Sequence, residues 1–395
     1  MLFPDSPGHM ITELDNFLRM RHLGEIDRNC SYMAVLPQGI VRLPYHIAAS
    51  CPNVFSPEAR IQIMGDDDSN RVAHQIQALR PEMAIDVGQS HFKIALPDAA
   101  ARSNARLMHA PWWPNLMYWV IRHELMIDST MHYYRRLAQS RDYCPWRDIP
   151  ELSDELRLLL GGQSEKLALI HVRTARGAGA ENAGTYTDPL VLLPTLAFLK
   201  DLGYTLVKVG LEPYPSEWER FSVVRYSGSP LQNYSNDLML FKAAKFVLAN
   251  ASGFEMIADL LGTPMVSYGR WHLPLPPPGP NCVNLPSLMR NRRTGRLLKF
   301  SEQIQFYKDL PQLWEQGNVL SFPREAFEER PPSPDEILAS VQEAVALSEN
   351  FVAPTSEQER FIDLDRKKCF AHVQSRVCQR FLEKFPEALL PGFAD

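Results

Sequence analysis

The chain has 395 residues, enough for two ordinary domains, and its 45% hydrophobic and 22% charged residues are those of a globular protein rather than a disordered one. A net charge of −5 supplies no general attraction to nucleic acid or to an acidic membrane surface. The six cysteines, at 30, 51, 144, 282, 369 and 378, form no C-x-x-C pair and no zinc spacing, which fits a reducing compartment. No apolar run reaches the length of a membrane span, and the first residues lack the basic and apolar regions of a secretory signal, so the expected location is the cytoplasm. The expected assembly is a monomer or a homodimer.

In chain order, Asp5-Ser-Pro-Gly-His9 forms a loop. A helix follows, with Ile11, Leu14, Phe17 and Leu18 at helical spacing and Gly24 at its end. Strands are expected at Tyr32–Leu36, Arg60–Met64 and Met83–Val87, with helices between them and a long helix at Asn115–Gln139. This alternation points to a parallel α/β sheet. A Pro- and Glu-rich stretch near 145–152 reads as the inter-domain region. The expected division is therefore 1–150, 151–334, and a helical segment 335–395 that packs back on both.

The second half is more regular. Leu167–Val172 is the apolar run of a buried parallel strand, and a Gly-rich loop at Thr174–Thr185 follows. Next come a helix ending near Gly203, a strand Thr205–Val209, and a short strand near Val223–Tyr226. The last elements are a helix at 237–244, a strand Phe246–Leu248, a helix at 253–261 and a strand Met265–Tyr268. The Pro-rich stretches at 274–280 and 331–334 read as rigid connectors.

Three features of this half carry chemistry. His171-Val-Arg173 lies at the carboxyl end of a buried strand, where ligands of open α/β sheets sit. Residues two apart share a strand face, and a guanidinium binds a pyrophosphate bidentately. In Asn250-Ala-Ser252-Gly253-Phe-Glu255 a strand turns into a helix whose first N–H groups are unpaired, a ready site for phosphate. Ser252 either adds a donor there or simply caps the helix. Asp237, at a turn before a helix, either accepts hydrogen bonds from a base or ribose or is another cap.

The order of these features resembles a family of bacterial glycosyltransferases from surface-polysaccharide and secondary-metabolite gene clusters. More distantly it is similar to the GDP-fucose-dependent fucosyltransferases. The resemblance rests on His171-Val-Arg173, a loop with Glu181-Asn182 and Tyr186, Lys208-Val-Gly210, Ser229 through Asp237, Ser252-Gly253 and Leu261-Gly-Thr-Pro264. It covers about 165–270 and extends to Gly8-His9 and Asp15–Gly24 near the N-terminus. It implies a GT-B fold, in which two Rossmann-like domains face a cleft. The C-terminal domain binds the nucleotide-sugar donor, GDP- or UDP-linked, and the N-terminal domain binds a glycan or small-molecule acceptor. No metal or other cofactor is implied. Carried over by position, His171, Arg173, Asn182, Tyr186, Lys208, Gly210, Asp237, Asn250, Ser252, Gly253 and Glu255 contact the donor. Arg173 and Ser252-Gly253 hold its diphosphate and Asp237 its nucleoside. Where the family often has Val-Arg-x-Gly, this chain has Lys208, which keeps the charge and loses the fork of the guanidinium.

An inverting transfer needs a base for the acceptor hydroxyl, and His9 stands in a loop that would face the cleft, with Asp5 and Glu13 as rivals. Other signals have plainer explanations. Asp66-Asp67-Asp68 contains the D-x-D by which GT-A transferases hold a metal, but it also reads as a polar turn after a strand. Glu124, Asp128 and His132 share a helix face, Trp112, Trp113, Tyr118 and Trp119 suit sugar stacking or a core, and Arg290–Arg293 is a short basic loop. The alternatives to transfer are a sugar-nucleotide epimerase or hydrolase on the same fold, a metal-dependent GT-A-like transferase using Asp66–Asp68, and a nucleotide-sugar-binding protein without catalysis.

Overall fold

The computed structural model describes residues 7–26, 33–36, 60–64, 85–88, 132–146, 149–163, 165–174, 187–250, 252–270, 277–305, 326–350, 352–364 and 373–390. Three short parallel strands, β1 (Met33–Leu36), β2 (Arg60–Met64) and β3 (Ile85–Gly88), form one sheet in that order. The larger sheet has six strands: β4 (Leu167–His171), β5 (Thr205–Val209), β6 (Ala244–Asn250), β7 (Met265–Arg270), β8 (Cys282–Pro286) and β11 (Arg376–Val377). Their order is β11-β8-β7-β6-β4-β5, and every pair is parallel. A small antiparallel pair, β9 (Leu288–Asn291) with β10 (Phe327–Arg330), stands beside it.

β4 and β6 lie inside this sheet and are covered on both faces, which is why they read as nearly unbroken apolar runs. The right-handed crossover rule places the connecting helices. α3 (Leu193–Asp201) joins β4 to β5 on one face, while α4 (Tyr234–Ala243) and α5 (Gly253–Leu260) join β5 to β6 and β6 to β7 on the other. α6 (Pro334–Glu349) packs on α3, β7 and β8. Its start is fixed by Pro334 and by a reciprocal cap between Ser333 and Glu336. α7 (Ser356–Asp363) and α8 (Gln379–Lys384) close the C-terminal end around β11. The short α2 (Asp154–Leu159) begins at a Ser153 cap.

α1 (Pro7–His22) packs on α5. Asp15, fully buried, accepts hydrogen bonds from Arg19 Nε (2.6 Å), Tyr133 Oη (2.9 Å) and Trp146 Nε1 (2.9 Å). The stretch near 145–152, read as an inter-domain region, is therefore well packed where described: Trp146, Ile149 and Leu152 are buried in the same core as the sheet.

Several expectations change. The expected strand at Val223–Tyr226 is a single bridge, Val224 to Val207. α4 starts at Tyr234 rather than 237, because Asn233 takes the cap position and accepts from Asn236 N. β8 and β11 have no counterpart in the sequence reading. α1 starts at Pro7, so His9 lies in its first turn and not in a loop. Proline at the first helical position has its φ already set and loses no needed N–H. Among the described residues Cys144, Cys282 and Cys378 are free thiols, and no helix is long and apolar enough to cross a membrane.

Candidate functional site

In the six-stranded sheet the chain moves from β4 outward to β5, then crosses back to β6 on the other side of β4. That reversal makes a crevice at the carboxyl ends of β4 and β6, the place where doubly wound sheets bind ligands. Several of the residues singled out from the sequence lie along it.

Asn250, at the end of β6, is fully buried and reaches across the crevice. Its Oδ1 accepts from the Arg173 N–H at 2.9 Å and its Nδ2 donates to the Arg173 carbonyl at 3.4 Å. The same carbonyl accepts from Thr187 N at 2.9 Å. The backbone of Arg173 is thereby fixed just past β4, while its side chain is partly exposed.

Ser252 occupies the N-cap position of α5 with extended backbone, yet its hydroxyl makes no capping bond. It lies instead 3.2 Å from His171 Nδ1. The first-turn N–H groups of α5 keep no side-chain partner from the cap, and the positive end of the helix dipole faces the crevice. Phe254 sends its ring against His171, centroids 4.7 Å apart, and stacks on Phe241 of α4.

His171 is buried, and its Nε2 stands 3.6 Å from Oε2 of Glu212. Burial, followed by the charges of Lys208 and Arg173, pushes its pKa down to about 3, so the ring is neutral at any ordinary pH. Lys208 is fully buried, donating to the Val209 carbonyl at 3.1 Å and to Ser227 Oγ at 3.3 Å. Burial lowers it to about 8, opposed by Glu212. Lys208 therefore brings its charge to the site from beneath it.

Gly210 has φ of 94°, and a Cβ there would stand 2.6 Å from His171 Cδ2 and 2.7 Å from Glu212 Oε2. It makes room for both side chains. Asp237 lies in the first turn of α4 and is 5% exposed; burial raises its carboxyl to about 7, partly offset by the Tyr226 hydroxyl. Its Oδ1 has no hydrogen-bond partner. Glu255, in the first turn of α5, is fully buried and turned toward β7, where Ser267 Oγ donates to it at 2.5 Å and Arg270 pairs with it. A recess beyond this pair, by the ends of β7 and β8, is bordered by Arg270, Asn284, Ser375 and Phe361.

Thus His171, Lys208, Gly210, Ser252 and the Arg173 backbone are brought together, Asp237 stands at the head of a neighbouring helix, and Glu255 points away along the sheet. Glu212 was not anticipated; it sits in a Leu-Glu-Pro turn that reads as exposed surface, and only the packing of the turn against His171 gives it a place. Asp5, Asn182, Tyr186 and Asp66–Asp68 lie outside the described residues, as do Trp112, Trp113, Tyr118, Trp119, Glu124, Asp128 and the side chains of His9 and Glu13. His132 is exposed, and Arg290 sits on β9 opposite Glu328. Among the described residues no three His, Cys, Asp or Glu side chains converge as metal ligands would.

No protein-family model matches the chain, and no curated protein matches it. Among solved structures it is similar to a glycosyl transferase family 9 protein from Veillonella parvula, at 12% identity and a TM-score of 0.35, over 80% of this chain and 96% of that one.

Proposed function

We propose that the protein binds a nucleoside-diphosphate sugar at the crevice between β4 and β6 and transfers the sugar to a hydroxyl of a glycan or small molecule. The observation that carries this reading is the uncapped first turn of α5 beside Arg173, at the switch point of the sheet. Three positive features support it: the N-terminus of α5, Arg173 just past β4, and the buried Lys208 ammonium on β5. Departure of a nucleoside diphosphate leaves negative charge on its outer phosphate, and fixed donors aimed at that charge lower the barrier. The proposed transfer is metal-independent and inverting, on a GT-B arrangement with the acceptor on 1–150, the donor on 151–334 and a helical segment 335–395 behind them. Asp237, with an unpartnered oxygen at the head of α4, suits the hydrogen-bond donors of the ribose or base.

His9 is the proposed base for the acceptor hydroxyl. It lies in the first turn of α1, and α1 packs on α5, the helix of the proposed diphosphate site.

A thermal-shift series with nucleoside diphosphates and nucleotide sugars tests the reading. At least one raises the melting temperature of the wild type, as ligands of the folded state do, and Arg173→Ala removes that shift. If none shifts it, the proposal fails. Measuring donor loss with and without acceptor separates transfer from hydrolysis. His9→Ala lowers turnover by about two orders of magnitude with donor affinity intact; near-normal turnover would remove His9 from this role.

A further inference from the structure

Ser252, His171 and Glu212 form one line across the crevice. Ser252 Oγ is 3.2 Å from one ring nitrogen of His171, and Glu212 Oε2 is 3.6 Å from the other. A neutral imidazole carries a single proton, and the partners of the two nitrogens decide where it sits. With the proton on Nδ1, the lone pair of Nε2 would face a carboxylate, acceptor against acceptor. With the proton on Nε2, the N–H points at the carboxylate and the bare Nδ1 takes the hydroxyl proton of Ser252.

We propose that Glu212 is a positioning residue: it holds His171 in the Nε2–H tautomer, which turns the Ser252 hydroxyl away from α5 and leaves the first-turn N–H groups open to a phosphate. This rests on the reading of that turn as the diphosphate site.

Four observations support it. Serine at this position ordinarily caps the helix, and here it does not. Glu212 Oε2 is enclosed and has no hydrogen-bond partner, so no other donor competes with the ring N–H for it, although its charge also acts on Lys208. At 3.6 Å that interaction is electrostatic rather than a full hydrogen bond, but between a buried ring and a buried carboxylate oxygen it suffices to choose between tautomers. Gly210 is the residue type that leaves space for both side chains. The groups facing the ring include Ser252 from the β6–α5 turn, Phe254 from α5, the Asn250 side chain at the end of β6, which also hydrogen-bonds to the ring, and Glu212, Lys208 and Arg173 from beyond β5, within β5 and beyond β4. The two cations, added to burial, keep the imidazole neutral, so the tautomer is a fixed setting and not a pH switch.

The test has two parts. Histidine labelled with 15N, with His171→Asn to assign the signal, reports the tautomer directly. The expected result is a protonated Nε2 and a bare Nδ1, unchanged from pH 5 to pH 9. A protonated Nδ1, or a ring that titrates in that range, overturns the proposal. The second part measures GDP and UDP affinity. Glu212→Ala weakens the nucleotide that binds by about tenfold, the scale of one rearranged hydrogen bond. In the His171→Asn background, where the Asn carbonyl takes the place of Nδ1, Glu212→Ala brings no further loss, because Glu212 acts through the ring. Losses that add in the double variant overturn it. If Glu212→Ala does not fold, the wild-type spectrum still decides. Failure of both nucleotides to bind the wild type sinks the phosphate role while leaving the tautomer to the spectrum, so the two failures are distinguishable.

Discussion

Gly210 combines a positive φ with two close neighbours, and the combination makes it intolerant of a side chain. Gly210→Ala adds backbone strain and a methyl group that would clash with His171 Cδ2 at 2.6 Å and Glu212 Oε2 at 2.7 Å. The expected cost exceeds about 1 kcal/mol, read as a lower urea midpoint, together with weaker nucleotide binding as the imidazole is displaced. A different residue-scale effect comes from Asp237 and Asp259, both raised by burial to about 7 from an ordinary value near 3.8. The folded state holds a proton on each that the unfolded chain has released. Their contribution to stability is therefore full below 3.8 and is lost as pH rises through about 7. Unfolding midpoints measured between pH 8 and pH 5 should rise as pH falls, and Asp237→Asn with Asp259→Asn should flatten that slope. A slope unchanged in the double variant would assign it to other groups.

The buried Asp15 carboxylate is one of the ties of α1 to the body of the molecule, beside the bonds of Arg19 to Ser140 and the packing of the helix on α5. Asp15→Ala leaves the buried Arg19 guanidinium without its counter-charge, and breaking a buried pair from one side costs about 3–5 kcal/mol. The expected signature is a local one: α1 detaches from α5 and trypsin gains access to Arg19 and Arg21, measured by the rate of N-terminal cleavage against the wild type. How far the elements could be read from the sequence follows from what fixed each of them. β4 through β7 are apolar over most of their length, because neighbours cover both faces, so their pattern is written in their own residues. β11 has two residues, and only its pairing with β8 makes it a strand. β8 contains Asn284 and ends in Pro286, which masks its buried character. The Ser252 turn was legible as a strand-to-helix junction. That its hydroxyl would go to His171 was not, since this depends on where β4 ends relative to β6. Glu212 left no mark at all, because its meaning comes entirely from contact with His171.

At the scale of the whole molecule the main sheet is closed by its last strand. β11 covers the edge of β8, and Phe381 of α8 packs with Phe300 and Phe385 behind it. A chain ending at Gln374 would leave the β8 edge open and these aromatic faces uncovered, a recognised route to association. It is expected to form large aggregates on size-exclusion chromatography, whereas a chain ending at Leu390 should elute as the full-length protein does.

The docking of α1 on α5 also has a consequence for synthesis. The two helices are far apart in the order in which a ribosome delivers them, since α1 begins at Pro7 and α5 only at Gly253. At about 5–20 residues per second, α1 waits roughly 10–50 s for the surface it will cover. Asp15 and Arg19, four residues apart on one helix, can neutralise each other during that wait, before Tyr133 and Trp146 have been made. The stretch that seals the sheet arrives later still, at residues 376–377. The crevice between β4 and β6 can thus be assembled on a nascent chain before β11, the strand that completes the sheet carrying it, has been made.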